Sequence, residues 1–266
     1  MGPRRGDLTA LIEHALAPKT ARRYASYANR VLDVTGLQSF MDHEESQRAI
    51  ERFIQWAYTQ KKTKSSAQAH LTAVAHYSKL TTGRDPANSH YIKSAIKRWR
   101  RLEGPARDQW RPIEFSPLRQ LLGALRHICH ENFEYTLFKA AFSLAFFGAF
   151  RVSELVAPAK SGPTDTCIHR QDVQIGKRNM QILLQKSKTD QLGKGEKIEL
   201  KCLDDHELCP VCSTREFIQL SPEGQGTLLK HENGDSLSIF QFKAVLRRAL
   251  TSMGLPANKF GTHSVN

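Results

Sequence analysis

Residues Ala140 to Phe150 read AAFSLAFFGAF, an apolar run that ends on Arg151. Such a run belongs inside a core and is too short to span a bilayer. The chain must therefore deliver an arginine to the rim of its own interior. A guanidinium there is costly unless an anion meets it. Glu154 follows three residues later, one helical turn on and close enough to orient the side chain. The planar, five-donor guanidinium suits a phosphate better than any other side chain does. An ordinary surface Arg–Glu pair has the same spacing, so the rest of the chain has to separate the two readings.

Charge is the first separator. The chain carries 39 Lys and Arg against 26 Asp and Glu, a formal net charge of +13. Residues 1–112 hold 20 basic and 10 acidic side chains, net +10, whereas 113–266 hold 19 and 16, net +3. A polyanion, most simply nucleic acid, is the partner such a segment predicts. No basic amphipathic anchor helix stands out, so a membrane partner is not expected. Behind Met1-Gly2-Pro3-Arg4-Arg5 there is no apolar stretch of the secretory kind. Five cysteines, an odd number, point to a reducing compartment rather than a disulfide scaffold.

Periodicity predicts a mainly α protein with a small β-hairpin or sheet. The first helix starts at Pro18-Lys19-Thr20, buries Tyr24, Tyr27, Ala28, Val31 and Leu32, and ends at Gly36. The second runs from about Glu45, with Ile50, Phe53, Ile54, Ala57 and Tyr58 inward. The third follows Lys61-Lys62-Thr63-Lys64 and is capped by Ser65-Ser66; the fourth follows Pro86 and buries Ile92, Ala95, Ile96 and Trp99. These make a helical domain over 1–100. Residues 101–112 lose periodicity and read as a linker. A second domain, 113–266, opens with helices near 114–127, 134–149 and 151–157. Two strands follow, Asn179 to Gln185 and Lys197 to Leu200, joined by a basic turn holding Lys186, Lys188 and Lys194. Ser238 caps an amphipathic helix on which Phe242, Val245, Leu246, Ala249, Leu250 and Met253 share a face, with Gly254 at its end.

In this order, three pieces resemble the tyrosine recombinase (phage integrase) family. Gly148-Ala149-Phe150-Arg151-Val152-Ser153-Glu154-Leu155 matches the form G-x-x-R-x-S-E-L of its first box, Lys188 in Ser187-Lys188-Thr189 matches its hairpin lysine, and Thr262-His263-Ser264 matches the start of H-x-x-R. The likeness runs from about Leu16 to Ser264. Leu208-Cys209-Pro210-Val211-Cys212 before a helix looks most like recombinases of animal mobile elements. The resemblance implies a DNA-binding core-binding domain over 1–100 and a mixed α/β catalytic domain over 113–266. It also implies DNA integration and recombination by strand cleavage and rejoining at a backbone phosphate, with no cofactor and no small-molecule substrate. Arg151 would neutralise the non-bridging oxygens, Lys188 would protonate the departing 5′-oxygen, His263 would assist proton transfer, and Glu154 would hold Arg151. Arg22, Arg23, Lys61, Lys62, Lys64, Lys97 and Arg98 are the expected contacts to the DNA backbone.

The match departs at one end. Asn266 stands where the second arginine of H-x-x-R belongs. The six tyrosines (Tyr24, Tyr27, Tyr58, Tyr77, Tyr91 and Tyr135) all precede Arg151. The expectation is a truncated, catalytically incomplete family member that binds duplex DNA, self-associates on it and resides in the nucleus, or otherwise in the cytoplasm. The alternative is a non-catalytic protein-interaction scaffold derived from a mobile-element recombinase. Cys202, His206, Cys209 and Cys212 are spaced C-x3-H-x2-C-x2-C with ligand types suited to zinc. The intervals are tighter than in usual structural zinc sites, so buried or incidental thiols, with no metal, are expected.

Overall fold

A computed structural model describes residues 16–104, 110–187, 194–221 and 224–265, without the His263 side chain. The chain divides into two compact units, Met1–Arg107 and Asp108–Asn266.

The N-terminal unit holds four helices: α1 (Pro18–Thr35), α2 (His43–Thr59), α3 (Lys64–Thr82) and α4 (His90–Glu103). Gly36 stops α1 in the left-handed conformation, φ 71°, and its N–H closes on Leu32 O at 2.8 Å. Asp42 caps α2 through the Glu45 N–H at 2.7 Å. Thr63, not Ser65 or Ser66, caps α3, accepting the Ser66 N–H at 3.2 Å. The expected serines lie inside the first turn, whereas Thr63 has the extended backbone that a cap requires. Pro86 starts a 3₁₀ turn, and α4 begins only after the cap Ser89.

The core of this unit is built from Ala28, Val31, Ile50, Phe53, Leu71, Val74, Ile92 and Trp99. Tyr58, expected inward, is 52% exposed. It sits in the last turn of α2 and covers Trp99 edge-on from outside, ring centroids 5.4 Å apart. No helix among the described residues is long and apolar enough to cross a membrane.

The C-terminal unit begins with α5 (Phe115–Ile128) and α6 (Asn132–Phe147). Every residue of α6 from Thr136 to Ala145 is buried, so this helix is the centre of the core and the apolar run is its sequence trace. Lys139 is buried within it, and its Nζ reaches Glu216 Oε2 at 3.3 Å. After the short α7 (Val152–Leu155) comes an antiparallel sheet of β1 (Val173–Ile175), β2 (Asn179–Leu184) and β3 (Glu196–Lys201), in that order. Met180 pairs with Leu200 and Ile182 with both Val173 and Ile198, so Met180, Ile182 and Leu184 turn to the core together. β1 is a strand that periodicity did not reveal: at three residues it is too short to show an alternation.

α8 (Pro210–Leu220) packs on α6, and α9 (Ile239–Ser252) packs on α5. Ser238 and Gln241 close a reciprocal capping box at the start of α9. A parallel bridge, Ala157 to Ser238, ties that cap to the chain leaving α7. His231 Nδ1 lies 2.6 Å from Glu134 Oε1 at the start of α6. The hydrogen bond to Glu134 raises the His231 pKa, against a smaller opposing effect of burial. The folded value therefore lies above the unfolded one. The stabilisation is complete below the unfolded value, near 6.5, and is lost as pH rises through the folded value. Urea midpoints should fall with rising pH from that point by the equivalent of about 1 kcal/mol. His231→Gln should remove the step, and an unchanged profile in that variant would refute the assignment.

Candidate functional site

The site is assembled where α6 gives way to α7. Gly148 ends α6, and the chain turns through Ala149 with φ 49°, a left-handed conformation uncommon for a residue with a side chain. This turn drives Phe150 back into the core at 1% exposure and leaves Arg151 at the rim. A Cβ on Gly148 would sit 2.2 Å from the Phe150 ring and 2.9 Å from Leu144 O. Glycine is thus required here by close approach rather than by backbone freedom.

Glu154 grips Arg151 twice. Its Oε1 accepts from the guanidinium Nη1 at 2.9 Å, and its Oε2 accepts from the Arg151 backbone N–H at 2.8 Å. The two side chains differ in exposure, 40% for Arg151 and 6% for Glu154. One guanidinium nitrogen is anchored on a buried carboxylate while the Arg151 side chain stays partly exposed. A cation held in a fixed pose at a surface is what an oxyanion requires of its partner.

Comparison with known proteins adds to this geometry. Two solved structures of the XerH site-specific recombinase share the fold. A pre-cleavage complex with difH substrate gives a TM-score of 0.54 at 15% identity, covering 82% of this chain and 56% of that one. A post-cleavage complex with palindromic difH gives 0.52 at 14% identity, covering 98% and 68%. A protein of Selenomonas ruminantium described as an integrase/recombinase xerD homolog is 24% identical over 263 residues, 96% of this chain and 73% of that protein. The chain is similar in sequence to an integrase/recombinase and shares the fold of the XerH tyrosine recombinase. No family model matches it. It spans little more than half the length of one of the XerH chains, at 56%.

The remaining candidates from the sequence fall as follows. Lys188 and Asn266 lie outside the described residues, as does the His263 side chain. The His263 backbone belongs to a 3₁₀ turn, Thr262–Ser264, pinned on both sides. Ser264 is buried, its O accepts the Ile113 N–H at 2.7 Å, and its Oγ accepts the Gly261 N–H at 3.0 Å. Lys259 O accepts the Arg111 N–H at 2.8 Å, and Gly261 lies under the Trp110 ring, where a Cβ would be 2.9 Å from it. Trp110 and Arg111, within the expected linker over 101–112, brace the segment that carries His263. The Arg111 backbone bond and the Trp110 ring contact leave no trace in periodicity.

Arg22 and Arg23 are exposed on α1, Lys61 and Lys62 on the turn before α3, and Lys97 and Arg98 on α4. Lys64, half-buried, begins α3, and its backbone N–H is held by Glu103 Oε1.

A second cluster also comes together. The sulfurs of Cys202, Cys209 and Cys212 all lie within 4.8 Å of one another. Burial pushes the Cys212 thiol up to about 12, helped by its hydrogen bond to Cys209 and by the neighbouring charges of Cys209 and Cys202. Burial also opposes ionisation of Cys209. There, amide N–H groups, those of Cys212 and Leu203 foremost, outweigh it and hold the thiol below its ordinary value. The sequence displays all these residues, but their tight spacing concealed how the chain folds back on itself.

Proposed function

We propose that these 266 residues bind duplex DNA through the basic N-terminal unit and hold a backbone phosphate on Arg151. The observation that carries the reading is the doubly bound Arg151–Glu154 pair, set at the core rim within the family's first box. The likeness to XerH recombinase in complex with its difH substrate supports DNA as the ligand class. Lys188 would donate the proton that the 5′-oxygen needs on leaving, and His263 would assist proton transfer at the phosphate. No tyrosine follows Arg151 in this sequence, so an attacking tyrosine of the family's kind would have to come from outside these residues. The proposed role is recognition and phosphate holding, with strand cleavage by the 266-residue chain alone not expected.

Binding should weaken steeply with salt, log Kd rising by about 0.9 per phosphate contact for each decade of salt concentration. Replacing Lys61, Lys62 and Lys64 together with Gln should lower that slope by about three contacts' worth and weaken all sequences alike. Titration of a labelled duplex at several salt concentrations measures both effects. A folded chain that fails to bind at low salt would overturn the reading. A covalent complex trapped on nicked DNA would overturn the absence of cleavage.

A further inference from the structure

We infer that Cys202, Cys209 and Cys212, together with His206, form a structural zinc site where β3 meets the start of α8. Cys202 is the first residue after β3, and its N–H continues the ladder onto Arg178 O at 2.8 Å. Cys209 caps α8 and Cys212 lies in its first turn. Six positions between Cys202 and Cys209 make a reversal that returns the chain to its starting point, which puts three sulfurs within 4.8 Å of one another. His206 Nδ1 is 3.5 Å from Cys212 Sγ. Sulfur and nitrogen ligands on one tetrahedral zinc, at about 2.3 Å and about 2.0 Å from the metal, are separated by about 3.5 Å.

Several features favour a metal over a chance group of thiols. The Leu203 and Cys212 N–H groups both donate to Cys209 Sγ at 3.4 Å, an arrangement that favours a thiolate. A cation among the three sulfurs would stabilise together the negative charge that burial opposes on each alone. The loop bearing His206 is fastened to α5 on either side of it: Arg119 pairs with Asp205, and Arg126 with Glu207. Three sulfurs and one imidazole are the donor set zinc prefers in closed, four-coordinate sites. Cys209 and Cys212 are buried whereas His206 is exposed, so the cluster opens to solvent on the imidazole side.

A redox role fits less well. In a reactive Cys-x-x-Cys pair one thiol must be reachable, and Cys209 is 0% exposed and Cys212 8%. The site's consequence is mechanical. β3 follows the segment that carries Lys188 in the chain, so the metal would fasten the far end of the β2–β3 pair to α8.

The test is to purify the chain under reducing conditions, measure its zinc after passage over a chelating column, and exchange the metal for Co²⁺. One zinc per chain is expected, with a cobalt form showing sulfur-to-metal charge transfer and tetrahedral ligand-field bands. His206→Ala changes an exposed side chain, so the fold should survive while metal affinity drops. The drop should exceed the roughly tenfold loss that follows removal of a ligand's outer partner. Cys129→Ser, at a half-buried cysteine outside the cluster, should leave metal content unchanged. A folded chain that stays metal-free, a six-coordinate cobalt spectrum, or a Cys209–Cys212 disulfide in a peptide map would overturn the site. Full affinity in His206→Ala would overturn the four-ligand assignment.

Discussion

Arg151→Ala should weaken DNA binding tenfold to a hundredfold, the equivalent of about 1.5–3 kcal/mol for one hydrogen-bonded charge pair. The salt slope should fall by about one contact. The same change should also cost stability, because it strips Glu154 of its cation. Glu154 is 6% exposed and would be left as a carboxylate facing the core rim. Arg151 itself is 40% exposed, so water can fill part of the space it vacates, and a loss of about 1–3 kcal/mol is expected. Adding Glu154→Gln should restore much of the stability and none of the DNA affinity. That separation distinguishes a phosphate-holding arginine from a structural one. Arg151→Lys should recover only part of the binding, since an ammonium keeps the charge and loses the fork. Urea midpoints and duplex titrations on the four proteins supply both readouts. Arg151→Ala binding DNA like the wild type would sink the proposed function.

The second large effect lies just before the arginine, where adjacent substitutions should have opposite signs. Gly148→Ala places a methyl group 2.2 Å from the ring of Phe150, which is 1% exposed and has no room to retreat. Overpacking of this kind should cost about 3 kcal/mol. The residue displaced is the one that sets Arg151, so DNA affinity should fall with stability. Ala149→Gly removes the penalty of a side chain at φ 49° and is partly offset by glycine's greater backbone entropy. A net gain of about 0.5 kcal/mol is expected. Thermal or urea unfolding of the two variants beside the wild type checks both signs. A neutral Gly148→Ala would show that the turn relaxes more readily than its packing implies.

Helices in this chain were legible wherever one face repeats over three or more turns. Val31, Ile50, Phe53, Leu71 and Val74 all lie where 3.6-residue periodicity puts them, in the N-terminal core. Tyr58 departs from its pattern because the last turn of a helix can project past its neighbours, which periodicity cannot detect. The three-residue β1 escaped for the opposite reason, its signal being too short to register. At the site, Gly148-Ala149-Phe150-Arg151 could be read as a place where the core must release an arginine. The Gly148–Phe150 contact behind it is set by two side-chain positions that no local pattern encodes.

What the sequence determined by itself was therefore whatever depends on residues near in the chain: the helical periods, the Ser238 cap, the Arg151–Glu154 spacing and the uneven charge. Tertiary structure decided what depends on residues far apart or on a reversal of direction. Trp110 and Arg111 brace the turn carrying His263 across about 150 positions. Lys139 meets Glu216 through the packing of α6 on α8. The sulfurs of Cys202, Cys209 and Cys212 converge because β3 ends where α8 begins. Side-chain chemistry is written at single positions, but distance between side chains is a property of the packed core, and only the fold supplies it.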